Sequence, residues 1–229
     1  MRMVANHPRI SVALMNYEYQ REQMVERQIR RRGVRDELVL EAMRAVERHL
    51  FVSQNARDLA YEDHPLSIGK GQTISQPYIV AFMTESLALT GKEKVLEVGA
   101  GSGYQAAVLA KTGCKVVSME RLPELAALAR KNLQWAGIEG VRVVEGDGTK
   151  GFPDEAPYDR IIVTAAGPEV PHTLLEQLAP EGILLIPVGQ RWMQNLVRVK
   201  RKEDGFEREE ILGCVFVPLI GEEGWKEVP

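Results

Sequence analysis

Three glycines occupy every second position of the segment Gly99-Ala-Gly-Ser-Gly103, which follows an apolar run beginning at Val95. The run is typical of a buried strand, and a glycine-rich turn between a strand and a helix lets backbone N–H groups approach a ligand closely. The spacing therefore predicts a nucleotide or nucleoside site. The dinucleotide fingerprint, GxGxxG, would need a glycine where this chain has Tyr104, so the turn argues against NAD.

Acidic residues lie near the ends of three consecutive predicted strands. Glu120 ends the second strand, about 20 residues beyond the glycines, where a carboxylate can accept hydrogen bonds from both ribose hydroxyls. The alternative is an ordinary surface glutamate, but ligands bind at this edge of a parallel sheet, which favours the ribose role. Glu97 precedes the glycines. Asp147 lies in the turn after the third strand, where it could face an adenine amino group or simply shape the turn.

A second candidate site is the hydroxyl of Ser75, in the segment Gly71-Gln-Thr-Ile-Ser-Gln-Pro77. Ser75 near the N-cap and Pro77 in the first turn predict a helix that continues to about residue 89. The stretch 51–75 has no sustained period, which predicts a long loop, and loops of this length are usually either functional or disordered. Ser75 is then either a helix cap or, with the N–H groups of the helix start, a binding group for an anion. The residues alone leave both roles open.

Short apolar runs alternate with amphipathic stretches after residue 91. The predicted strands are 95–98, 115–119, 141–145, 160–164 and 182–188, and the predicted helices are 104–111, 123–135 and 171–178. Parallel strands need helical crossovers, so this alternation predicts an α/β fold with a doubly wound, mostly parallel sheet. Ligands then bind at the carboxyl ends of the strands.

Both ends of the chain depart from this alternation. Helical periodicity over 17–49 predicts N-terminal helices, and the turn signal Asp204-Gly205 predicts a C-terminal antiparallel hairpin. The hairpin strands are predicted over 196–201 and 206–212, with a further strand over 214–217.

These elements predict one domain over 17–229, preceded by an extension over 1–16 whose role is unknown. Within the domain we expect three parts: a helical flank with the substrate loop (17–90), a cofactor-binding core (91–190) and C-terminal strands (191–229).

The composition excludes several classes of protein. The chain has 229 residues, of which 45% are hydrophobic and 27% charged, as in an ordinary globular domain. Its 29 Lys and Arg against 32 Asp and Glu give a net charge of -3, which disfavours nucleic acid. The basic run 27–35 is interleaved with acidic residues and predicts a solvated helix face. Without an apolar run of roughly 18 residues or a signal peptide, we expect a cytoplasmic protein and no membrane partner. We also expect a monomer.

Several other residues have reactive side chains but lack the spacing or partners for chemistry. We predict that Cys114 and Cys214 are small buried hydrophobic residues and that they form neither a disulfide nor a metal site. His64 is expected to be solvated and His172 structural. The aromatic side chains expected to pack, rather than to stack on a ligand, are Trp135, Tyr158 and Trp192.

The pattern of acidic residues around the glycine turn resembles that of S-adenosylmethionine-dependent methyltransferases. Within this class the chain is similar to the protein-L-isoaspartate O-methyltransferase family over about residues 24–219. Four segments carry the resemblance: Gly71-Gln-Thr-Ile-Ser-Gln-Pro77, Glu97-Val-Gly-Ala-Gly-Ser-Gly-Tyr104, Ala156-Pro-Tyr-Asp159 and Val215-Phe-Val-Pro-Leu219. The glycine segment alone would fit many methyltransferases, whereas the Thr-Ile-Ser-Gln-Pro segment is much narrower.

The resemblance implies a Rossmann-like methyltransferase that transfers a methyl group from S-adenosylmethionine to the α-carboxylate of L-isoaspartyl residues in damaged peptides and proteins. S-adenosylhomocysteine is the product, and repair begins with the ester. The implied cofactor-binding residues are Glu97, Gly99, Gly101, Ser102, Glu120, Asp147 and Gly148. Thr73, Ile74 and Ser75 are implied to bind the peptide, with Ser75 the catalytic residue and no metal involved. We assign no cofactor contact to the segment 220–225, which departs from the family pattern.

Other functions fit a similar sheet, because fold alone does not define activity. They are a nicotinamide-dependent oxidoreductase, a non-enzymatic nucleoside-binding protein, and a methyltransferase acting on a small molecule or RNA. The glycine spacing disfavours the first, and the lack of basic excess disfavours RNA.

Overall fold

The computed structural model describes residues 17–226, so the predicted extension 1–16 lies outside the described residues. The strands are β1 Leu66–Gly69, β2 Gln72–Ile74, β3 Lys94–Val98, β4 Lys115–Glu120, β5 Val141–Glu145, β6 Tyr158–Val163, β7 Leu178–Gln190, β8 Met193–Lys202 and β9 Gly205–Cys214. A seven-stranded sheet with the order β5-β4-β3-β6-β7-β8-β9 forms the centre of the molecule, and β1 and β2 form a separate hairpin.

Helices flank the sheet and fill its crossovers. The first, α1, covers 17–23 and continues as a π-helix over Met24–Ile29 and a 3-10 turn over Arg30–Arg32. The others are α2 Glu37–Ala45, α3 Pro77–Ser86, α4 Tyr104–Lys111, α5 Pro123–Trp135 and α6 His172–Glu176. Short 3-10 helices cover Arg48–Phe51, Gln54–Leu59, Gly148–Lys150 and Pro153–Glu155.

The sheet confirms the predicted fold class. Strands β5, β4, β3, β6 and β7 are parallel, and β8 and β9 add an antiparallel hairpin to the β7 edge. The parallel strands are joined through helices on both faces, as crossover connections require. Because they run in one direction, their carboxyl ends form one edge of the sheet, where the glycine turn lies.

Two local predictions are wrong. The stretch 51–75 is not an irregular loop, because it contains a 3-10 helix and the β1–β2 hairpin. These strands have three and four residues, too few to give an alternating pattern. The segment 214–217 is not a further strand: β9 ends at Cys214, and the chain then crosses to the carboxyl edge, where Ala166 N–H donates to Val217 O (2.8 Å).

The N-terminal helices pack on the same hydrophobic core as α4. Met24, Met43 and Phe51 are fully buried in one cluster with Tyr104 of α4 and Leu133 of α5. The predicted helix after Ser75 is present but shorter than expected, ending at Ser86.

Candidate functional site

The glycine turn between β3 and α4 has a backbone conformation that its glycines allow. Gly99 and Gly101 have φ of 103° and 54°, in the left-handed region that favours glycine. A Cβ at Gly99 would lie 2.3 Å from Thr164 Oγ1, so a larger residue does not fit. Thr164 Oγ1 donates a hydrogen bond to Gly99 O (2.7 Å) and holds the turn. Gly99, Gly101 and Gly148 line a cavity that we call the glycine-turn cavity.

Glu120 lies at the carboxyl end of β4 and lines the same cavity. Its side chain is nearly buried and accepts hydrogen bonds from Gly101 N–H (2.9 Å) and Leu122 N–H (3.0 Å). A carboxylate offers roughly four acceptor positions, so these two bonds leave capacity for the hydroxyl groups of a ligand. The structure therefore brings Glu120 to the glycine turn, as the strand pattern predicts.

Glu97 is buried beneath the turn and does not line the cavity. Its Oε2 is hydrogen-bonded to Ser118 Oγ, and its Oε1 has no hydrogen-bond partner among the described residues. Burial in this apolar position raises the pKa of Glu97 from 4.5 to about 8. The carboxyl group is thus protonated at neutral pH, and its placement supports the strands rather than contacting the cavity.

Because of this pKa, Glu97 should make stability fall as the pH rises. The folded protein retains a proton that the unfolded chain releases between about pH 4.5 and about pH 8, so the free energy of unfolding decreases across that window. Glu97→Gln keeps the shape of the neutral carboxyl group and should flatten this decrease. Urea unfolding of both proteins at several pH values measures it, and identical slopes would contradict the assignment.

Asp147 and Ser102 lie near the glycine turn, but their side chains bond to the chain itself. Asp147 Oδ1 accepts hydrogen bonds from Thr149 N–H (2.9 Å) and Thr149 Oγ1 (2.7 Å). Its Oδ2 accepts from Glu222 N–H (2.8 Å). Ser102 is buried, and its Oγ accepts a long bond from Tyr104 N–H (3.4 Å). Neither residue lines the cavity, so their cofactor roles stay predictions.

The C-terminal segment covers the glycine-turn cavity, which the sequence did not lead us to expect. Val217, Pro218, Leu219 and Ile220 line it. Farther along the segment, the Glu223 carboxylate accepts hydrogen bonds from His172 N–H (2.5 Å) and Thr173 N–H (3.3 Å) at the start of α6. Thr173 Oγ1 is also bonded to Glu223. These contacts anchor the segment 217–223 across the carboxyl edge of the sheet.

A second cavity of about 770 Å³ lies beside the first, and we call it the Ser75 cavity. Ser75 and Thr73 line it, and their roles in binding the peptide stay predictions. Ile74 does not line it: its side chain is buried in the helical core, and its backbone pairs with Leu66 in the hairpin. The charged residues that line the cavity are Arg32, which is paired with Asp63, and Arg191, whose positive charge suits an anion.

The helix cap at α3 falls one residue later than the sequence indicates. Gln76 occupies the N-cap position, and no side chain caps the helix start. Gln76 Nε2 donates instead to Asp63 O (2.9 Å). Ser75 is therefore half-buried at the cavity wall without a capping role, and Tyr78 and Ile79 of the first turn line the same cavity.

The structure confirms the expected environment of one aromatic residue and contradicts that of several other residues. Tyr158 packs in the core as predicted, but Trp192 is 84% exposed and Trp135 61% exposed. Cys214 is only half-buried and lines the Ser75 cavity. Arg32 is more than part of a solvated face, because its guanidinium lies 3.5 Å from the centre of the Tyr78 ring and pairs with Asp63 (2.9 Å).

The histidines of the described chain lie outside the Ser75 cavity. His64 is half-buried rather than simply solvated, and its ring nitrogens bond to Glu62 Oε2 (3.0 Å) and Pro65 O (2.9 Å). These bonds raise the pKa of His64. His49 is buried and stacked on Tyr17 (4.1 Å), while His172 is exposed near Glu176 (3.4 Å).

Residues 17–226 contain no cluster of potential metal ligands and no helix that could span a membrane.

The two cavities share a wall made by residues from distant parts of the chain: Thr73, Thr164, Val217 and Pro218. Sequence reasoning missed Thr164, although its place directly after β6 at the carboxyl edge was a usable signal. The two cavities therefore adjoin at these four residues, and ligands bound in them would lie next to each other.

Such a sheet, with a glycine turn at β3 and a nearly buried acid at the end of β4, is the arrangement of an S-adenosylmethionine-dependent methyltransferase. Comparison with known families narrows the class. Residues 19–224 match the family model of protein-L-isoaspartate(D-aspartate) O-methyltransferase. The chain belongs to this family, which confirms the predicted family, enzyme class, function and methyl donor.

Relatives cover nearly the whole chain. A protein-L-isoaspartate O-methyltransferase of Methanoculleus marisnigri is 58% identical over 207 residues, which are 90% of this chain and 94% of the relative. A second, from Pelobacter propionicus, is 56% identical over 93% of this chain and 96% of the relative.

Solved structures give the same result. A protein-L-isoaspartate O-methyltransferase is 32% identical with a TM-score of 0.82, covering 89% of this chain and 67% of the other. A Plasmodium falciparum beta-aspartate methyltransferase in complex with S-adenosyl-L-homocysteine is 25% identical with a TM-score of 0.76, covering 89% of this chain and 98% of the other.

Proposed function

We propose that the two cavities hold the two reactants of isoaspartyl methylation: S-adenosylmethionine beside the glycine turn and the peptide carboxylate beside Ser75. The observation that carries this assignment is the shared wall at Thr73 and Thr164. When bound, S-adenosylmethionine supplies a methyl group on a positively charged sulfur, and its transfer to a carboxylate oxygen leaves a methyl ester and S-adenosylhomocysteine.

The residues of the glycine-turn cavity fit S-adenosylmethionine. Gly99 and Gly101 place no side chain in the cavity that they line, and the Glu120 carboxylate has acceptor capacity for the ribose hydroxyls. A Cβ at Gly148 would lie 2.4 Å from Val98 Cγ1, so glycine there lets the chain pack tightly against β3. Glu97, Ser102 and Asp147 lie outside the lining, and we assign them to support of the turn.

The Ser75 cavity is suited to orient an anion rather than to deprotonate an acid. An α-carboxylate has a pKa of roughly 3.3–3.7 and is already ionised at neutral pH. What catalysis requires is alignment of its oxygen with the methyl group and replacement of water by fixed donors. The Ser75 hydroxyl and the positive end of α3 supply such donors, and Arg191 adds positive charge.

This mechanism predicts a pH profile without a histidine limb. Turnover should not rise between about pH 6 and pH 7, where an essential neutral histidine would titrate. His64→Ala should have the same profile as the unmodified enzyme. Initial rates at saturating peptide across this range test the idea, and an ascending limb that disappears in His64→Ala would make His64 catalytic.

The function is tested by turnover on an isoaspartyl peptide with each reactant omitted in turn.

Four expectations stay predictions: the cytoplasmic location, the monomeric state, the absence of nucleic-acid partners and the division into parts at residues 90 and 190.

A further inference from the structure

The turn between β7 and β8 places a tryptophan at the mouth of the Ser75 cavity. Strand pairing continues to Gln190 and Met193, so Arg191 and Trp192 alone form the turn. Trp192 is 84% exposed, and Val215, on the neighbouring segment, is 66% exposed. Both line the Ser75 cavity, so together they make an apolar rim on a site whose charged groups are arginines.

The fold gives no reason for this tryptophan. The common two-residue hairpin turns favour Asn, Asp and Gly because those turns need positive φ. Neither Arg191 nor Trp192 has a positive φ, so the backbone of this turn does not select for tryptophan. The indole takes part in no hydrogen bond or ring contact with the rest of the described chain. A large exposed aromatic side chain that supports no packing is typical of a binding surface.

The turn is nevertheless held firmly in place by a buried side chain. Gln194 Nε2 donates to both Gln190 O and Arg191 O (2.9 Å each). Its Oε1 accepts from Phe216 N–H (2.7 Å), on the segment that forms the opposite part of the rim. One amide group therefore fixes the distance between the Trp192 turn and the cavity wall, as a preorganised binding surface requires.

We propose that Trp192 is a specificity-determining residue that binds an apolar side chain next to the isoaspartyl residue of the substrate. The inference rests on the proposed function, since it takes the Ser75 cavity as the carboxylate site. A peptide with its isoaspartyl group at Ser75 must leave through the cavity mouth, where a flanking side chain can pack between the indole and Val215. Arg191 beside it disfavours a flanking Lys or Arg by charge repulsion.

The test compares isoaspartyl peptides of one length whose flanking residue is Phe, Ser or Lys, placed in turn on each side. When the flanking residue is on the side that reaches Trp192, we expect KM for the Phe peptide to be about tenfold lower than KM for the Ser peptide. Trp192→Ala should raise KM for the Phe peptide about tenfold and leave kcat and the Ser peptide nearly unchanged, and Trp192→Phe should restore most of the preference. Trp135→Ala is the matched control, because Trp135 is also exposed but lines neither cavity.

A binding measurement separates this proposal from the proposed function. With S-adenosylhomocysteine present and no turnover possible, the Phe peptide should shift the tryptophan emission of the unmodified protein more than that of Trp192→Phe, in which Trp225 is the remaining tryptophan that lines the Ser75 cavity. Equal effects of Trp192→Ala on all three peptides, or no effect on any of them, would overturn the role of Trp192. Continued turnover on the Ser peptide would then show that the proposed function still holds. Loss of turnover on every isoaspartyl peptide would instead contradict the proposed function.

Discussion

Replacing Ser75 by glycine should lower turnover on an isoaspartyl peptide roughly tenfold or more, because the hydroxyl that orients the carboxylate is lost. The melting temperature and the affinity for S-adenosylhomocysteine should barely change, since Gln76 and not Ser75 is the N-cap residue. Ser75→Asp should be worse still, because it places a fixed negative charge against an anionic substrate. Initial rates on one peptide, beside thermal melts with and without S-adenosylhomocysteine, measure all three quantities.

Ser67 provides a matched control for this experiment. It lies on the other strand of the same hairpin, where it pairs with Thr73, and it lines neither cavity. Ser67→Ala should keep normal turnover. Near-normal turnover in both Ser75 variants would remove Ser75 from the catalytic site and leave it as part of the cavity wall.

Replacing Glu120 by alanine should weaken S-adenosylmethionine binding by about 1.5–3 kcal/mol, the range for hydrogen bonds that involve a charged group. Peptide binding should change little. Glu120 also holds Gly101 N–H, so part of the loss comes from a less ordered turn. Glu120→Gln keeps an acceptor for that N–H and should lose less, and calorimetric dissociation constants for both variants separate the two contributions.

Glu145 is a suitable control for Glu120, since it ends the neighbouring strand in direct register with it. Its carboxylate pairs with Arg130 (2.7 Å) and is exposed. Glu145→Ala should leave cofactor affinity unchanged because surface ion pairs contribute little. An unchanged dissociation constant in folded Glu120→Ala would remove Glu120 from the ribose site.

The sequence predicts the central sheet well because apolar runs and crossover helices are local patterns. Strand β5 and helices α4 and α5 have the predicted bounds, and the other core elements shift by a few residues at their ends. Glu120 and the glycine turn were also predictable, since ligands bind where parallel strands end. These features depend on residues close together in the chain.

Features that depend on distant contacts were not predictable. The segment 217–220 covers the glycine-turn cavity because β8 and β9 deliver it there and Glu223 is anchored at α6, over 50 residues away in the chain. The short strands of the β1–β2 hairpin carry no alternating pattern, yet they place Thr73 at the wall shared by both cavities. Trp192 was expected to pack, because an indole is apolar, and its exposure follows from a turn held by Gln194.

The activity is tested by methyl transfer from S-adenosylmethionine to two matched peptides, one with isoaspartate and one with normal aspartate at the same position. The peptides have the same charge and side-chain composition and differ only in which carboxyl group of the residue is free. We expect labelling of the isoaspartyl peptide, abolished when S-adenosylmethionine is omitted, and no labelling of the aspartyl peptide. Equal labelling of both peptides, or of neither by a folded enzyme that binds S-adenosylhomocysteine, would contradict this activity.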